Sequence, residues 1–179
     1  MTNPLTTLRE LGVRADAADA LAFFDSLAAV DAAAITGRWH GWEIATGHPL
    51  DGLLEPSGWY GKQFDDIDHV HPLLFRTASG AIYPVSPRRM PLGLAGRVPP
   101  SLVERAKPIS GRMRPLLRTR RHGARLRNVE HRGVVSAAMV YDDLPIIDVF
   151  RRVDADTLLG VMDYREHPAP YFFVLERDA

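Results

Sequence analysis

Ile35-Thr36-Gly37-Arg38-Trp39-His40-Gly41-Trp42 is the stretch whose reading decides the fold. It has the form Gly-x-Trp-x-Gly and stands where an alanine-rich helical segment gives way to a β-pattern. A glycine ahead of the tryptophan permits close backbone approach, and the second glycine relieves crowding on its other side. The indole then has room to plug the end of a curved sheet, and a basic side chain can lie across its face. The same residues also fit a core tryptophan between two turn glycines.

Upstream of this stretch, residues 16–30 read as a helix. Asp16 is placed to cap it, and Ala20, Phe24, Leu27 and Ala28 share one face at helical spacing. A shorter helical turn over 4–11 ends at Gly12. Downstream the period changes to that of strands, beginning with 38–44 and 59–64. Further strands are predicted over 70–77, 81–85, 124–130, 134–141, 144–150, 157–164 and 171–177. Ala78-Ser79-Gly80 and His131-Arg132-Gly133 are hairpin signals. Residues 47–54 suggest a short helix or lid-like loop. The proline-, glycine- and arginine-rich run 84–123 is long for a connection and holds a possible short helix at 101–106. Short strands without intervening helices predict a mainly β protein: an antiparallel barrel of about 8–10 strands behind N-terminal α-helices. The division that follows is a helical extension, 1–34, and a barrel domain, 35–179. The barrel domain comprises one segment at about 35–95 and another at about 120–178.

Composition narrows the function classes. The 179 residues include 22 basic and 22 acidic side chains and no cysteine. Disulfides, thiol nucleophiles and thiolate metal sites are excluded. No basic-then-apolar leader opens the chain and no apolar run has the length of a membrane span, so a cytoplasmic location is expected. Charge is uneven: residues 1–70 hold four basic groups against eleven acids, and 105–132 hold ten against one, Glu130. The basic tract could meet an anionic membrane surface. It lacks the interleaved aromatics of a single-strand platform, so nucleic acid is not the expected partner.

The ordered set of motifs resembles the bacterial GXWXG domain proteins that carry a second domain of unknown function. It consists of Gly37-Arg38-Trp39-His40-Gly41, Gly58-Trp59-Tyr60-Gly61-Lys62, Arg125-Leu126-Arg127, Ala137-Ala138-Met139-Val140-Tyr141-Asp142, Pro145-Ile146-Ile147-Asp148-Val149-Phe150-Arg151, Gly160-Val161-Met162-Asp163 and Phe172-Phe173-Val174-Leu175-Glu176-Arg177. More loosely, Gly-x-Trp on the first strand with an arginine on the last is similar to the closing signature of the calycins, the lipocalins and fatty-acid-binding proteins. That resemblance implies a barrel closed by Gly37, Trp39, Gly41 and Arg177, with Trp39 as the plug and Arg177 stacked on it.

Three constellations compete for function. Arg118, Arg120, Arg121, Arg125 and Arg127 form an arginine set. Arg125 and Arg127 share one face of a strand and, directed inward, would hold a carboxylate or phosphate. Tyr141 adds a hydroxyl and Trp59 an aromatic wall. An apolar barrel with such an anchor suits non-enzymatic binding or carriage of a fatty acid or phospholipid. Asp142, Asp148 and Asp163 could instead meet as an acid–base site and make the protein a small-molecule enzyme. Among seven histidines there is no zinc-hydrolase spacing, and no metal site is expected. The His69-x-His71 pair shares one side of a strand. A resemblance to nitrobindin-type barrels, which also begin Gly-x-Trp-x-Gly, implies haem as an alternative cofactor with His167 as its ligand. No other cofactor is expected.

Overall fold

A computed structural model describes residues 3–13, 15–77, 79–89 and 117–179. Two helices come first, α1 (Pro4–Val13) and α2 (Ala17–Ser26). Asp16 caps α2, its Oδ1 accepting the Asp19 N–H at 2.8 Å. The helix does not run to residue 30 as the spacing predicts. Leu27 turns extended, and β1 (Ala28–Ala29) pairs with Arg151 and Arg152. Asp31 then caps a single 3-10 turn over Ala32–Ala34.

The strands are β2 (Gly37–Ile44), β3 (Trp59–Phe64), β4 (Val70–Arg76), β5 (Ile82–Pro84), β6 (Ala124–His131), β7 (Val134–Tyr141), β8 (Ile146–Arg152), β9 (Thr157–Tyr164) and β10 (His167–Arg177). Residues 47–54 run as turns into a one-turn helix, α3 (Leu54–Ser57). The short helix read at 101–106 lies outside the described residues. Neighbours run β8-β7-β6-β4-β3-β2-β10-β9, and β9 pairs back on β8, so eight antiparallel strands close into a barrel. β1 extends β8 and β5 extends β4. Two meanders make up this ring. One is β2 to β5 and the other β6 to β10. They meet at two seams of unequal width. β2 and β10 pair from Ile44↔Phe172 to Trp39↔Arg177, whereas β4 and β6 share the single pair Val70↔Ala124.

Alternation along each strand divides the core in two. Trp39, Trp59, Phe64, Leu126, Met139, Phe150 and Phe173 fill the inside. Ile44, Ala138, Val149, Leu159, Val161, Phe172 and Val174 point out beneath Leu8 of α1 and Ala20 and Phe24 of α2. Burying a side chain such as Phe24 completely stabilises the fold by about 1.5–3 kcal/mol. One barrel end is stoppered. The Trp39 indole N–H donates to Thr36 O at 3.0 Å, and the Arg177 guanidinium lies 4.3 Å above the Trp39 ring. Arg177 also donates to Thr36 O at 2.6 Å and to Asp156 at 3.1 Å. Residues 28–34, read from sequence as part of the helical extension, supply β1 and the core side chains Val30 and Ala32.

The two glycines of the motif serve different neighbours. Gly37 has φ of +84°. Gly41 makes room for Trp59 rather than Trp39: a Cβ there would stand 2.1 Å from the Trp59 ring. Among the described residues, no helix is long and apolar enough to cross a membrane.

Candidate functional site: a polar centre inside the barrel

The inward faces of β3 and β8 each carry a charge among apolar neighbours. On β3, Lys62 precedes Phe64 by two residues. On β8, Asp148 lies between Ile146 and Phe150. The two charges meet inside the barrel. Lys62 Nζ donates to Asp148 Oδ2 at 2.7 Å, to Pro72 O at 3.3 Å and to the Tyr141 hydroxyl at 3.4 Å. Each side chain of the ion pair is only 3 % exposed. The ammonium also sits 4.9 Å from the centre of the Phe173 ring, within cation–π range.

Burial pushes the Asp148 carboxyl above the usual aspartate range, against the opposing pull of Lys62. Burial, with Asp148 next in weight, drives the Tyr141 phenol well above its ordinary value. Tyr141 is therefore a hydroxyl donor at neutral pH. The Tyr171 hydroxyl donates to Glu43 Oε2 at 2.5 Å, and the Gly52 N–H donates to Glu43 Oε1 at 2.5 Å. Burial raises the Glu43 carboxyl. Tyr171 is raised by burial first, then by Glu43. Trp59 Nε1 and His48 Nε2 are buried without a hydrogen-bond partner. Such groups cost free energy and mark places where a ligand group can pair. Gly41 and Gly160 let the Trp59 and Phe173 rings rest directly on the strand backbone.

Of the residues singled out from sequence, Tyr141, Trp59 and Asp148 lie at this centre. Arg125 and Arg127 share a face as their spacing requires, but it is the outer one. Ala124 and Leu126 take the inward positions. Arg125 pairs with Asp142 at 2.9 Å, and Arg127 with Asp68 at 2.8 Å. A guanidinium without a partner inside would be costly, and the outer face supplies carboxylates. Arg118 is exposed, its guanidinium 4.4 Å from the Tyr83 ring centre, and Arg120 and Arg121 are exposed too. The three aspartates do not meet. Asp142 is at the surface with Arg125, and Asp163 is exposed in register with Ile147, one residue before Asp148. His167 stands at the start of β10, its ring 5.6 Å from Tyr164 and 5.9 Å from His48. Lys62 was given no role from sequence, although a lone lysine at the parity of Phe64 was the available signal.

A second grouping lies outside the barrel interior. Asp65, His71 and His122 bring one candidate ligand atom each within 4.8 Å of the others. Burial, then the neighbouring His122, holds the His71 imidazole below its usual value.

A closed antiparallel barrel of eight strands, with Trp39 and Arg177 at its stopper and a polar centre inside, is a calycin-like protein. The chain matches the family described as GXWXG protein over residues 22–80, and the Domain of unknown function (DUF4334) over residues 122–177. A solved structure described as a protein from Thermomonospora curvata is similar over 99 % of this chain and 100 % of that one, with 33 % identity and a TM-score of 0.73. No curated protein matches. The chain belongs to the family that joins a GXWXG domain to DUF4334.

Proposed function

We propose that the barrel binds a single-chain amphiphile, a fatty acid or a molecule of that size and polarity, with its polar end at Lys62, and that it carries rather than transforms it. The observation that carries this reading is the Lys62–Asp148 pair with the Tyr141 hydroxyl in an otherwise apolar interior. Desolvating two charges costs several kcal/mol per ion, so such a pair is a poor stabiliser compared with apolar side chains of similar volume. It is a good anchor. A ligand carboxyl group would share Lys62 with Asp148, and the burial that already raises Asp148 lets the two carboxyls hold one proton between them. The Trp59 indole N–H offers a further donor. An eight-stranded barrel is just wide enough for its own side chains or for one small ligand, which favours one acyl chain over the two of a phospholipid. Arg125 and Arg127 already have carboxylate partners and are assigned no part in binding.

The test is displacement of a fluorescent fatty acid by unlabelled fatty acid and by its methyl ester. We expect Lys62→Met to weaken the acid at least about tenfold, the size of a lost charged hydrogen bond, and the ester much less. The Arg125→Ala/Arg127→Ala double variant should bind both as the parent does. The pair-replaced Lys62→Met/Asp148→Leu variant controls for folding. Failure of the parent to bind the probe, or equal affinity in Lys62→Met, overturns the assignment.

A further inference from the structure

Asp65, His71 and His122 come from three separate places in the chain. Asp65 follows the last residue of β3, His71 is the second residue of β4, and His122 lies two residues before β6. They converge beside the narrow seam, where Val70↔Ala124 joins the two meanders. The Gly123 N–H donates to Val70 O at 3.0 Å and so fixes the chain next to His122 against the chain next to His71. The His71 and His122 rings are 4.4 Å apart, and His122 Nε2 is 3.0 Å from Asp65 Oδ2.

Two further observations separate this from a chance cluster. His71 Nδ1 is buried and has no hydrogen-bond partner. The other oxygen of Asp65 is already held, because Gln63 Nε2 donates to Oδ1 at 2.9 Å and leaves Oδ2 facing His122. An outer residue that orients a carboxylate in this way is what a metal-ligand carboxylate requires. The nearby His69 is engaged with Asp66, whose carboxylate lies 2.8 Å from its Nδ1.

We propose that Asp65, His71 and His122 bind a divalent transition-metal ion of the zinc class, which clips the β3–β4 turn to the chain entering β6. Two imidazoles and one carboxylate form a donor set suited to such an ion, and three protein ligands leave a position for water. Bonds of about 2.0–2.1 Å place tetrahedral ligand atoms roughly 3.3 Å apart, so binding draws the three groups inward by a small side-chain adjustment. The physical result is a cross-link where the barrel wall has its shortest strand pairing. This site is independent of the barrel interior and of the ligand proposed for it.

The experiment uses the full chain without a histidine tag, stripped with chelator. Zn2+ is titrated by calorimetry, and Co2+ is followed by visible absorption. We expect one ion per chain, tetrahedral-type Co2+ bands in the visible and a thermal midpoint raised by Zn2+. His71→Ala and His122→Ala should each weaken binding more than about a hundredfold, beyond the 10–100-fold range of an outer-residue change. Gln63→Leu should fall within that range. Asp66→Asn, whose carboxylate bonds His69 and the Asp68 N–H and none of the three ligands, should leave binding unchanged. Near-UV circular dichroism of the metal-free variants establishes that each is folded. No stoichiometric binding at micromolar metal overturns the proposal, as does binding that survives in the His71→Ala/His122→Ala double variant.

Discussion

Among single residues, Gly61 is the most constrained glycine of the barrel. Its φ is +151°, and a Cβ there would stand 1.9 Å from Trp39 O, a backbone atom with no freedom to swing away. Gly41 is constrained differently, since its obstacle is the Trp59 ring at 2.1 Å. Gly47 and Gly52 have positive φ but open space around them. Overpacking costs roughly 1–3 kcal/mol and backbone strain a similar amount. We expect Gly61→Ala to lose at least about 3 kcal/mol in urea denaturation, while Gly52→Ala loses about 1 kcal/mol. Comparable losses at the two positions would mean that the barrel wall yields at Gly61. The Gly-x-Trp-x-Gly motif was legible as a barrel signature, but the beneficiary of its second glycine was not. Trp59 lies 18 residues beyond Gly41 in the chain, and only the β2–β3 pairing brings them together. Lys62 and Asp148 show the same limit. Parity marks each as inward, but their distance depends on how the ring closes.

For the elements, local chemistry was the readable part. The β6–β7 hairpin turns at Arg132 and Gly133 with φ of +54° and +76°, the signs a type I′ turn demands, and His131-Arg132-Gly133 announces it. Arg132 then reaches Asp25 of α2 with two hydrogen bonds, at 2.8 and 2.6 Å. Alanines favour a helix, whereas the end of β8, past its pairing with β7, offers Ala28 and Ala29 a ladder, so α2 stops short of the predicted end. Glu43 ties β2 to β10 through Tyr171 and to the following turn through Gly52. Burial raises its folded pKa. Its contribution to stability is therefore present below the ordinary glutamate value and is lost as pH rises through the raised one. A glutamine can accept from the Gly52 N–H and donate to the Tyr171 oxygen without titrating. We expect Glu43→Gln to become more stable relative to the parent as pH rises from about 4 to 7, read from urea midpoints across that interval. Parallel pH profiles for the two proteins would count against a buried, raised carboxyl at this position.

Across the whole molecule, the two matched regions correspond to the two meanders, since 22–80 carries β2 to β4 and 122–177 carries β6 to β10. Neither set of strands is a ring by itself. Each leaves one edge for the β4–β6 seam and another for the β2–β10 seam. Hairpins within a meander close short loops, but pairing Trp39 with Arg177 closes nearly the whole chain, an entropic cost met late. Arg177 makes its contacts at the far end of that seam: the stack on Trp39, the bond to Thr36 O and the bond to Asp156. Arg177→Met keeps an apolar cover on the indole and removes the charged hydrogen bonds. With discount for partial exposure this costs about 1–2 kcal/mol. If the seam closes after the rate-limiting step, the loss falls on unfolding, which should accelerate by a factor of about 5–30 while the folding rate stays near that of the parent. Stopped-flow unfolding and refolding in urea separate the two limbs. A slowed refolding limb with unchanged unfolding would place the β2–β10 seam in the folding nucleus and make the two meanders one cooperative unit from the start.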